Sequence, residues 1–301
     1  MDKKVIDELL NYISPSLRRV FRNLSPGFWN TAEEIHIGIE KPAIIYVNGG
    51  CEIICDEKGA FICTEQTIAE TLMLITENSI YAANERLTNG FITLKGGHRA
   101  GVCGTAVIKD NKVSAIKDIS SINIRIKREI KNAANGIMKY ITKDGIIKNT
   151  LIISPPRAGK TTLLRDIARV LGSNYKVAIV DERSEIAAMY KGVPQNDVGI
   201  HTDILDSCKK HIGIPQVIRS MSPQVVIADE IGAEADIEAI NYAVNSGVKV
   251  ITTAHGADNK DLMQRRYFPE LLGFFDVFVI LSSKNGTGTV EKIIRKSKND
   301  I

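Results

Sequence analysis

The sequence predicts an α/β fold with a mostly parallel sheet in its C-terminal half and a smaller α+β domain before it. From about residue 30 to residue 130, short alternating or β-branched runs are separated by glycine pairs. After about residue 145, apolar strands and helices alternate along the chain, which is typical of parallel βαβ units. A glycine-containing loop joins the first strand of that half to its first helix, and this loop indicates where a ligand binds.

Length and composition indicate a globular protein with two domains. The chain has 301 residues, of which 44% are hydrophobic and 25% are charged, and this length is enough for two domains. The formal net charge of +4 is spread evenly, because residues 1–145 carry 19 basic and 17 acidic side chains and residues 146–301 carry 20 and 18. Nucleic-acid binding normally concentrates Lys and Arg on one face. The even spread therefore argues against nucleic acid as the main partner.

The N-terminal half predicts a small α+β domain over residues 1–140. Its first ten residues form an amphipathic helix with acidic side chains inside it, which is not the pattern of a signal peptide. A longer helix is predicted over residues 64–81, among strand-like runs. The polar segment 139–149 is the predicted boundary to the second domain.

The C-terminal domain, predicted over residues 145–301, alternates between strands and helices. The predicted strands cover residues 151–153, 176–180, 225–228, 248–254 and 277–281, and the predicted helices cover residues 161–171 and 236–245. The longest apolar run near the end, residues 274–281, is too short to span a bilayer. Open parallel sheets bind ligands at the carboxyl ends of their strands, so we expect the functional residues at those ends.

Residues 154–161, Ser-Pro-Pro-Arg-Ala-Gly-Lys-Thr, match the phosphate-loop pattern G-x-x-x-x-G-K-[ST] at every fixed position except the first. Ser154 replaces that first glycine. A serine is tolerated there if its φ is negative, and the fixed φ of Pro155 and Pro156 pre-sets the chain that follows. The loop lies between an apolar strand and a helix, which is the context of a nucleoside triphosphate site.

The loop also predicts which atoms bind the phosphates. Because prolines have no N–H group, the backbone donors must come from the six residues that follow them. These residues are Arg157, Ala158, Gly159, Lys160, Thr161 and Thr162. Gly159 leaves room for the backbone to approach the phosphates, Lys160 reaches the β and γ oxygens, and Thr161 supplies a hydroxyl to Mg²⁺. ATP and Mg²⁺ are therefore the predicted ligands.

Two acidic residues, Asp229 and Glu230, directly follow the apolar strand 225–228. In an ATPase site, such a pair holds Mg²⁺ through water and orients the water that attacks the γ-phosphate. We assign the first role to Asp229 and the second, catalytic role to Glu230. An acidic strand end is a weak signal by itself, and the phosphate loop about seventy residues before it makes the signal strong.

Two further strand ends carry candidate catalytic residues. The acidic sequence after the strand 176–180 predicts a second catalytic acid, Glu185 or Glu182. An acid at this distance could instead contact a ribose in a dinucleotide-binding fold, but the required G-x-G-x-x-G is absent. His255 follows the strand 248–254. Its imidazole either caps the strand end by hydrogen bonding or senses the phosphates.

The order of these motifs resembles the secretion ATPase superfamily, which includes the motors of type II secretion, type IV secretion and type IV pili. Four longer segments are similar to a sporulation family of endospore-forming bacteria within that superfamily. They are residues 96–104, 117–125, 181–185 and 218–232. The resemblance runs from about residue 30 to residue 295, and it implies a RecA-like P-loop ATPase domain in the C-terminal half.

The resemblance also implies a homo-hexameric, cytoplasmic ATPase on the mother-cell side of the engulfed forespore. There it would energise a membrane channel complex, whose membrane proteins would hold it at the forespore-facing membrane. Arg99 and Arg125 match the small-domain arginines that approach the nucleotide near the seam between the domains. His201 stands where the family would place an arginine, so that role passes to Arg183 or Arg219.

Other interpretations of the sequence stay open. A nucleic-acid-remodelling ATPase with the same core is one, and a nucleotide-gated scaffold, in which ATP binding alone organises a membrane complex, is another. The five cysteines include no Cys-x-x-Cys pair and are typical of reduced thiols. A zinc site would need three cysteines and a histidine. The candidates are Cys51, Cys55 and Cys63 with His36 or His98.

Overall fold

The computed structural model describes residues 3–264, 268–284 and 286–296, which form two compact units that divide between Arg128 and Glu129. The sequence predicted this boundary later, in the segment 139–149. The division lies earlier because apolar side chains between residues 134 and 147 pack into the core of the second unit. Those side chains are Ala134, Ile137, Ile141 and Ile147.

The N-terminal unit is an α+β domain. Its helices are α1 (Lys3–Leu10), α2 (Pro15–Phe21), α3 (Pro26–Trp29), α4 (Glu65–Ile75) and α5 (Ile80–Thr88). Its strands are β1 (Ala32–Gly38), β2 (Ile44–Val47), β3 (Gly50–Ile53), β4 (Cys55–Asp56), β5 (Gly59–Ala60), β6 (Ile92–Thr93), β7 (Arg99–Lys109) and β8 (Lys112–Arg125). Six of them form an antiparallel sheet in the order β3-β2-β1-β8-β7-β6. Side chains from all five helices pack against the inner strands in one hydrophobic core.

The helix predicted over residues 64–81 is two helices in the structure. α4 begins after Thr64, whose hydroxyl caps it, and ends at Ile75. Glu77 and Asn78 then adopt left-handed φ values of 52° and 61°. Consecutive L-residues in this region do not continue a right-handed helix, so the chain turns before α5 begins.

The C-terminal unit is a layered α/β domain. Its helices are α6 (Met138–Ile141), α7 (Lys160–Leu171), α8 (Lys210–Met221), α9 (Glu234–Asn245), α10 (Asn259–Met263) and α11 (Phe268–Gly273). Its strands are β9 (Thr142–Lys143), β10 (Ile146–Ile147), β11 (Thr150–Ser154), β12 (Val177–Asp181), β13 (Met189–Tyr190), β14 (Val193–Pro194), β15 (Thr202–Asp206), β16 (Val225–Glu230), β17 (Lys249–His255), β18 (Val277–Ser282) and β19 (Thr289–Arg295). Among the helices described in both units, none has the length and apolar sequence needed to cross a membrane.

Seven strands of this unit form one sheet in the order β15-β12-β16-β17-β11-β18-β19. The first six run parallel, and β19 runs antiparallel to β18. This is the mostly parallel sheet that the sequence predicted. Because β11, β12, β16 and β17 are parallel, their carboxyl ends meet at one edge of the sheet.

The central strands are buried on both faces, which explains their continuous apolar sequences. Neighbouring side chains of a strand point to opposite faces of the sheet. In β11, Ile152 packs into one hydrophobic cluster, and Leu151 and Ile153 pack into another. α7 contributes apolar side chains to the first cluster, and α8 and α9 contribute to the second. Helices therefore cover both faces and hold the strand ends in place.

Candidate nucleotide-binding site

The phosphate loop, defined here as residues 154–161, joins the end of β11 to the start of α7. Its turn contains two left-handed residues, Arg157 with φ 61° and Gly159 with φ 89°. A Cβ atom at Gly159 would lie 3.1 Å from the backbone of Gly288, whose N–H donates to the carbonyl oxygen of Ala158 at 3.1 Å. Position 159 therefore requires glycine both for its φ and for this close approach.

Ser154 ends a buried strand and takes no part in the turn. It pairs in register with His255 of β17, its side chain is fully buried, and its hydroxyl donates to the carbonyl oxygen of Pro155 at 2.8 Å. Its φ is not positive. Glycine is therefore not required at this position, which explains why the serine is tolerated.

The first turn of α7 presents the backbone donors of the loop. Pro155 and Pro156 precede this turn and have no N–H group to contribute. Lys160, Thr161 and Thr162 occupy the first three positions of α7, where N–H groups have no acceptor within the helix. These N–H groups, together with the positive end of the helix dipole, can bind an anion.

Three side chains from different elements meet beside the loop. The Lys160 ammonium lies 2.8 Å from Nδ1 of His255 and 3.4 Å from Oε2 of Glu230. Nε2 of His255 lies 3.0 Å from the same carboxylate oxygen. Burial lowers the pKa of Lys160, and the Glu230 carboxylate partly offsets that effect. Three residues that were predicted separately are thus direct neighbours.

Asp229 contacts a lysine that the sequence prediction missed. Nζ of Lys210, the first residue of α8, lies 3.1 Å from Oδ1 of Asp229 and 2.5 Å from Oε2 of Glu182. Burial raises the pKa of Asp229, and the Lys210 ammonium opposes that rise. No sequence pattern marks Lys210, because it follows no predicted strand and has no fixed spacing from the acids it contacts.

The surroundings of Oδ2 of Asp229 show whether the site has suitable ligands for a metal ion. Oδ2 is buried and has no hydrogen-bond partner of standard geometry in the described part of the chain, a state that buried polar atoms rarely keep. Asp229 also lines a cavity of about 30 Å³, large enough for a water molecule. Its lining includes Lys160, Thr161, Arg183, Glu185, Asp229 and Glu230. A hydroxyl, carboxylates and a carboxylate oxygen without a partner are the ligands that Mg²⁺ prefers.

The segment that follows β12 is held from two sides. The Asp181 carboxylate accepts three consecutive backbone N–H groups beginning at Glu185, at 2.8 to 2.9 Å. Arg165 of α7 donates to two carbonyl oxygens of the same segment at 2.7 and 2.9 Å. Glu185 lines the cavity, whereas Glu182 is paired with Lys210. Of the two acids considered from sequence, Glu185 is the one beside the phosphate loop.

Asp181→Asn is expected to weaken the pH dependence of stability. Burial raises the pKa of Asp181 from 3.8 to about 6, so between these values the folded protein keeps a proton that the unfolded chain loses. The free energy of unfolding therefore falls as pH rises, by roughly 2 kcal/mol between pH 4.5 and pH 7. The asparagine variant lacks this contribution. Urea unfolding of both proteins at several pH values between 4.5 and 7 measures the free energy of unfolding. If it falls equally with pH in both proteins, the expectation is contradicted.

The arginines that the family resemblance implies belong to the N-terminal unit. Arg99 lies 4.4 Å from the centre of the Phe91 ring, and Arg125 forms an ion pair with Glu34 at 2.8 Å. Both lie in the sheet, where they are cross-strand neighbours in β7 and β8. Their role toward the nucleotide stays a prediction. His201, in the C-terminal unit, is exposed and precedes β15.

Comparison with known proteins agrees with the sequence motifs. The family model described as "Sporulation stage III, protein AA" matches residues 1–300. Stage III sporulation protein AA of Bacillus subtilis (strain 168) is 36% identical to this chain over 302 residues, an alignment that covers 98% of this chain and 96% of that protein.

Solved structures of a pilus retraction motor and of an ATPase share the fold. The pilus retraction motor PilT, solved with bound ADP, matches with a TM-score of 0.58 at 12% identity, over 83% of this chain and 74% of that one. The ATPase DotB of Legionella pneumophila matches with a TM-score of 0.54 at 18% identity, over 83% and 72%. At these identities the likeness shows the fold alone, and it confirms the predicted RecA-like α/β class. Since the family model spans nearly the whole chain and a relative that is 36% identical aligns over 98% of it, the protein belongs to the sporulation stage III protein AA family.

Proposed function

We propose that this protein is a Mg²⁺-dependent ATPase. The observation that carries the proposal is the meeting of Lys160, Glu230 and His255 beside the phosphate loop, where the Glu230 carboxylate lies 3.4 Å from the Lys160 ammonium. A phosphate-binding lysine beside a carboxylate that can orient water suits transfer of a phosphoryl group to water. Both side chains lie at the carboxyl edge of the parallel sheet, where open α/β sheets bind ligands.

The residues of the site suggest a division of roles. The N–H groups at the start of α7 and the Lys160 ammonium bind the β and γ phosphates. The Glu230 carboxylate accepts a hydrogen bond from a water molecule and orients it toward the γ-phosphorus, and His255 holds that carboxylate through their 3.0 Å contact. The water oxygen bonds to the γ-phosphorus, a proton of the water passes to the Glu230 carboxylate, and the bond from the γ-phosphorus to the bridging oxygen breaks to release ADP. The lysine and the N–H groups stabilise the negative charge that develops on the phosphates.

Thr161 and Asp229 are the residues that would hold Mg²⁺, the threonine through its hydroxyl and the aspartate through Oδ2. When bound, the ion neutralises negative charge on the β and γ phosphates. Glu185 lines the same cavity and is the second catalytic carboxylate of the proposal. The described residues contain no group of three or more His, Cys, Asp and Glu side chains able to hold a metal ion, so the phosphates themselves would supply further oxygen ligands.

We further propose that the ATPase is a homo-hexamer that energises a sporulation membrane channel complex from the mother-cell cytoplasm. Membership in the sporulation stage III protein AA family supports the sporulation role. The fold shared with a pilus retraction motor and with the ATPase DotB supports a ring motor. Membrane proteins of the complex would hold it at the forespore-facing membrane. Arg99 and Arg125 are the candidates for contacting phosphates in the assembled ring.

Light scattering tests the assembly. With Mg²⁺ and a non-hydrolysable ATP analogue we expect a species of six chains, and without nucleotide we expect smaller species. A chain that stays monomeric at micromolar concentration with the analogue would contradict the hexamer. Phosphate release from ATP, measured in separate reactions on the same protein preparation with Mg²⁺, tests the activity. Stimulation of that activity by single-stranded DNA or RNA, weakened by salt, would favour a nucleic-acid-remodelling ATPase.

A further inference from the structure

Lys210 lies between two carboxylates at the edge of the candidate site. Its side chain is 8% exposed, and its ammonium lies 2.5 Å from Oε2 of Glu182 and 3.1 Å from Oδ1 of Asp229. The three residues come from the start of α8, from the turn after β12 and from β16. The three residues are distant in sequence, and the fold brings them into contact.

A buried position at the N-terminus of a helix is unfavourable for a lysine unless anionic groups contact its ammonium. Lys210 is the first residue of α8, where the positive end of the helix dipole disfavours a cation. A buried ammonium also loses hydration that only close anionic partners replace. The two carboxylates supply those partners. Lys209, the residue before it and the N-cap of α8, is exposed and therefore keeps the hydration that Lys210 loses.

The charges around the cavity indicate what the ammonium does. The cavity is lined by three carboxylates, those of Glu185, Asp229 and Glu230, and by the cations Lys160 and Arg183. Lys160 pairs with Glu230 and Arg183 with Glu185, whereas Asp229 and Glu182 pair with Lys210. Without the ammonium, Glu182 and Asp229 would face a common centre with no positive charge. Divalent cations bind carboxylate oxygens at about 2.0 to 2.6 Å and take their remaining ligands from water, so a cation in place of the ammonium would bind these two oxygens and several water molecules.

We propose that Lys210 takes the place of a second divalent cation between Glu182 and Asp229, so that the site binds a metal ion only together with a nucleotide. The inference rests on the proposed ATP site. The ammonium contacts Oδ1 of Asp229, and Oδ2, which has no hydrogen-bond partner of standard geometry in the described chain, is left for the ion that arrives with the phosphates. Lys210 is thus a positioning residue for Asp229 and a built-in counterion for the site.

Lys210→Met tests the proposal with Mn²⁺ as the probe, because Mn²⁺ loses its sharp electron paramagnetic resonance signal when it binds. Titrations at pH 8 without nucleotide compare the wild-type protein, Lys210→Met and the matched control Lys209→Met. We expect Lys210→Met to bind Mn²⁺ at least about tenfold more tightly than the other two proteins, because the positive charge that occupied the position between Glu182 and Asp229 has been removed. With ADP present, we expect one more Mn²⁺ ion per chain in Lys210→Met than in the two others.

A second variant separates the charge from folding. Lys210→Gln keeps a hydrogen-bond donor without the charge, so we expect the same gain in Mn²⁺ affinity from it, even where the methionine variant fails to fold. Adding Asp229→Asn to Lys210→Gln should remove the gain and so locate the ion. Equal Mn²⁺ affinities of the wild-type protein and folded Lys210→Gln would overturn the proposal. The Mn²⁺ titrations without nucleotide do not depend on ATP binding or hydrolysis. If the wild-type protein binds no nucleotide, the proposed ATPase is overturned, and the Mn²⁺ affinities still decide the role of Lys210.

Discussion

Glu230→Gln is expected to lower the rate of ATP hydrolysis by about 10²- to 10⁴-fold while ATP binding stays nearly unchanged. The amide has nearly the size of the carboxylate and still lies beside Nε2 of His255, so the loop keeps its neighbours. It cannot polarise the attacking water as a carboxylate does. Phosphate release measures the rate, and the dissociation constant of a fluorescent ATP analogue measures binding.

The matched control is Glu238→Gln, because Glu238 is exposed on α9, and we expect wild-type hydrolysis from it. Wild-type turnover in Glu230→Gln would remove this carboxylate from the catalytic role. Complementation of sporulation separates a motor from a scaffold. If Glu230→Gln has lost turnover and still restores sporulation to a strain that lacks the protein, a nucleotide-gated scaffold is favoured over a motor.

Lys160→Ala is expected to weaken nucleotide binding by about a hundredfold or more, because each hydrogen bond from a charged group to phosphate contributes about 1.5 to 3 kcal/mol. Hydrolysis is lost as a consequence. The contact between Glu230 and His255 does not involve this lysine, so we expect the strand ends to keep their arrangement. Isothermal titration calorimetry with Mg²⁺ and a non-hydrolysable ATP analogue measures the affinity.

Lys176→Ala is the control for this second variant, since Lys176 is exposed just before β12 and lies outside the phosphate loop. We expect wild-type affinity from it, and wild-type thermal unfolding from both variants within a few degrees. Wild-type nucleotide affinity in Lys160→Ala would contradict the assignment of the phosphate loop and, with it, the proposed function.

The buried strands of the C-terminal unit could be predicted from sequence, and two elements next to them could not. β11, β12, β16 and β17 are apolar nearly throughout because helices cover both faces of the sheet. β15 is an edge strand with two aspartates and partial exposure, so it lacks that pattern. α8 contains Gly213 and Pro215, which disfavour a helix by propensity. Packing of Ile214 and Val217 in the core stabilises it nevertheless.

In the candidate site, too, some residues could be predicted from sequence and others could not. Asp229, Glu230 and His255 could be identified because they follow buried parallel strands, whose ends meet at one edge. Lys210 could not, because its contact with Asp229 depends on how α8 packs against the sheet. The contact of Gly288 with the phosphate loop also depends on a distant part of the chain, the hairpin of β18 and β19. Sequence patterns report local periodicity and do not report such long-range contacts.

The hairpin of β18 and β19 holds the phosphate loop through the hydrogen bond from Gly288 to Ala158. A loop without such a contact samples many backbone conformations, and a ligand must then order it on binding. Here part of that conformational entropy is lost when the chain folds, before ATP arrives. Preorganisation of this kind raises affinity without adding a contact to the ligand. It also links nucleotide affinity to the stability of the last strand of the sheet, so loosening β19 should weaken binding even though β19 supplies none of the phosphate-binding groups proposed above.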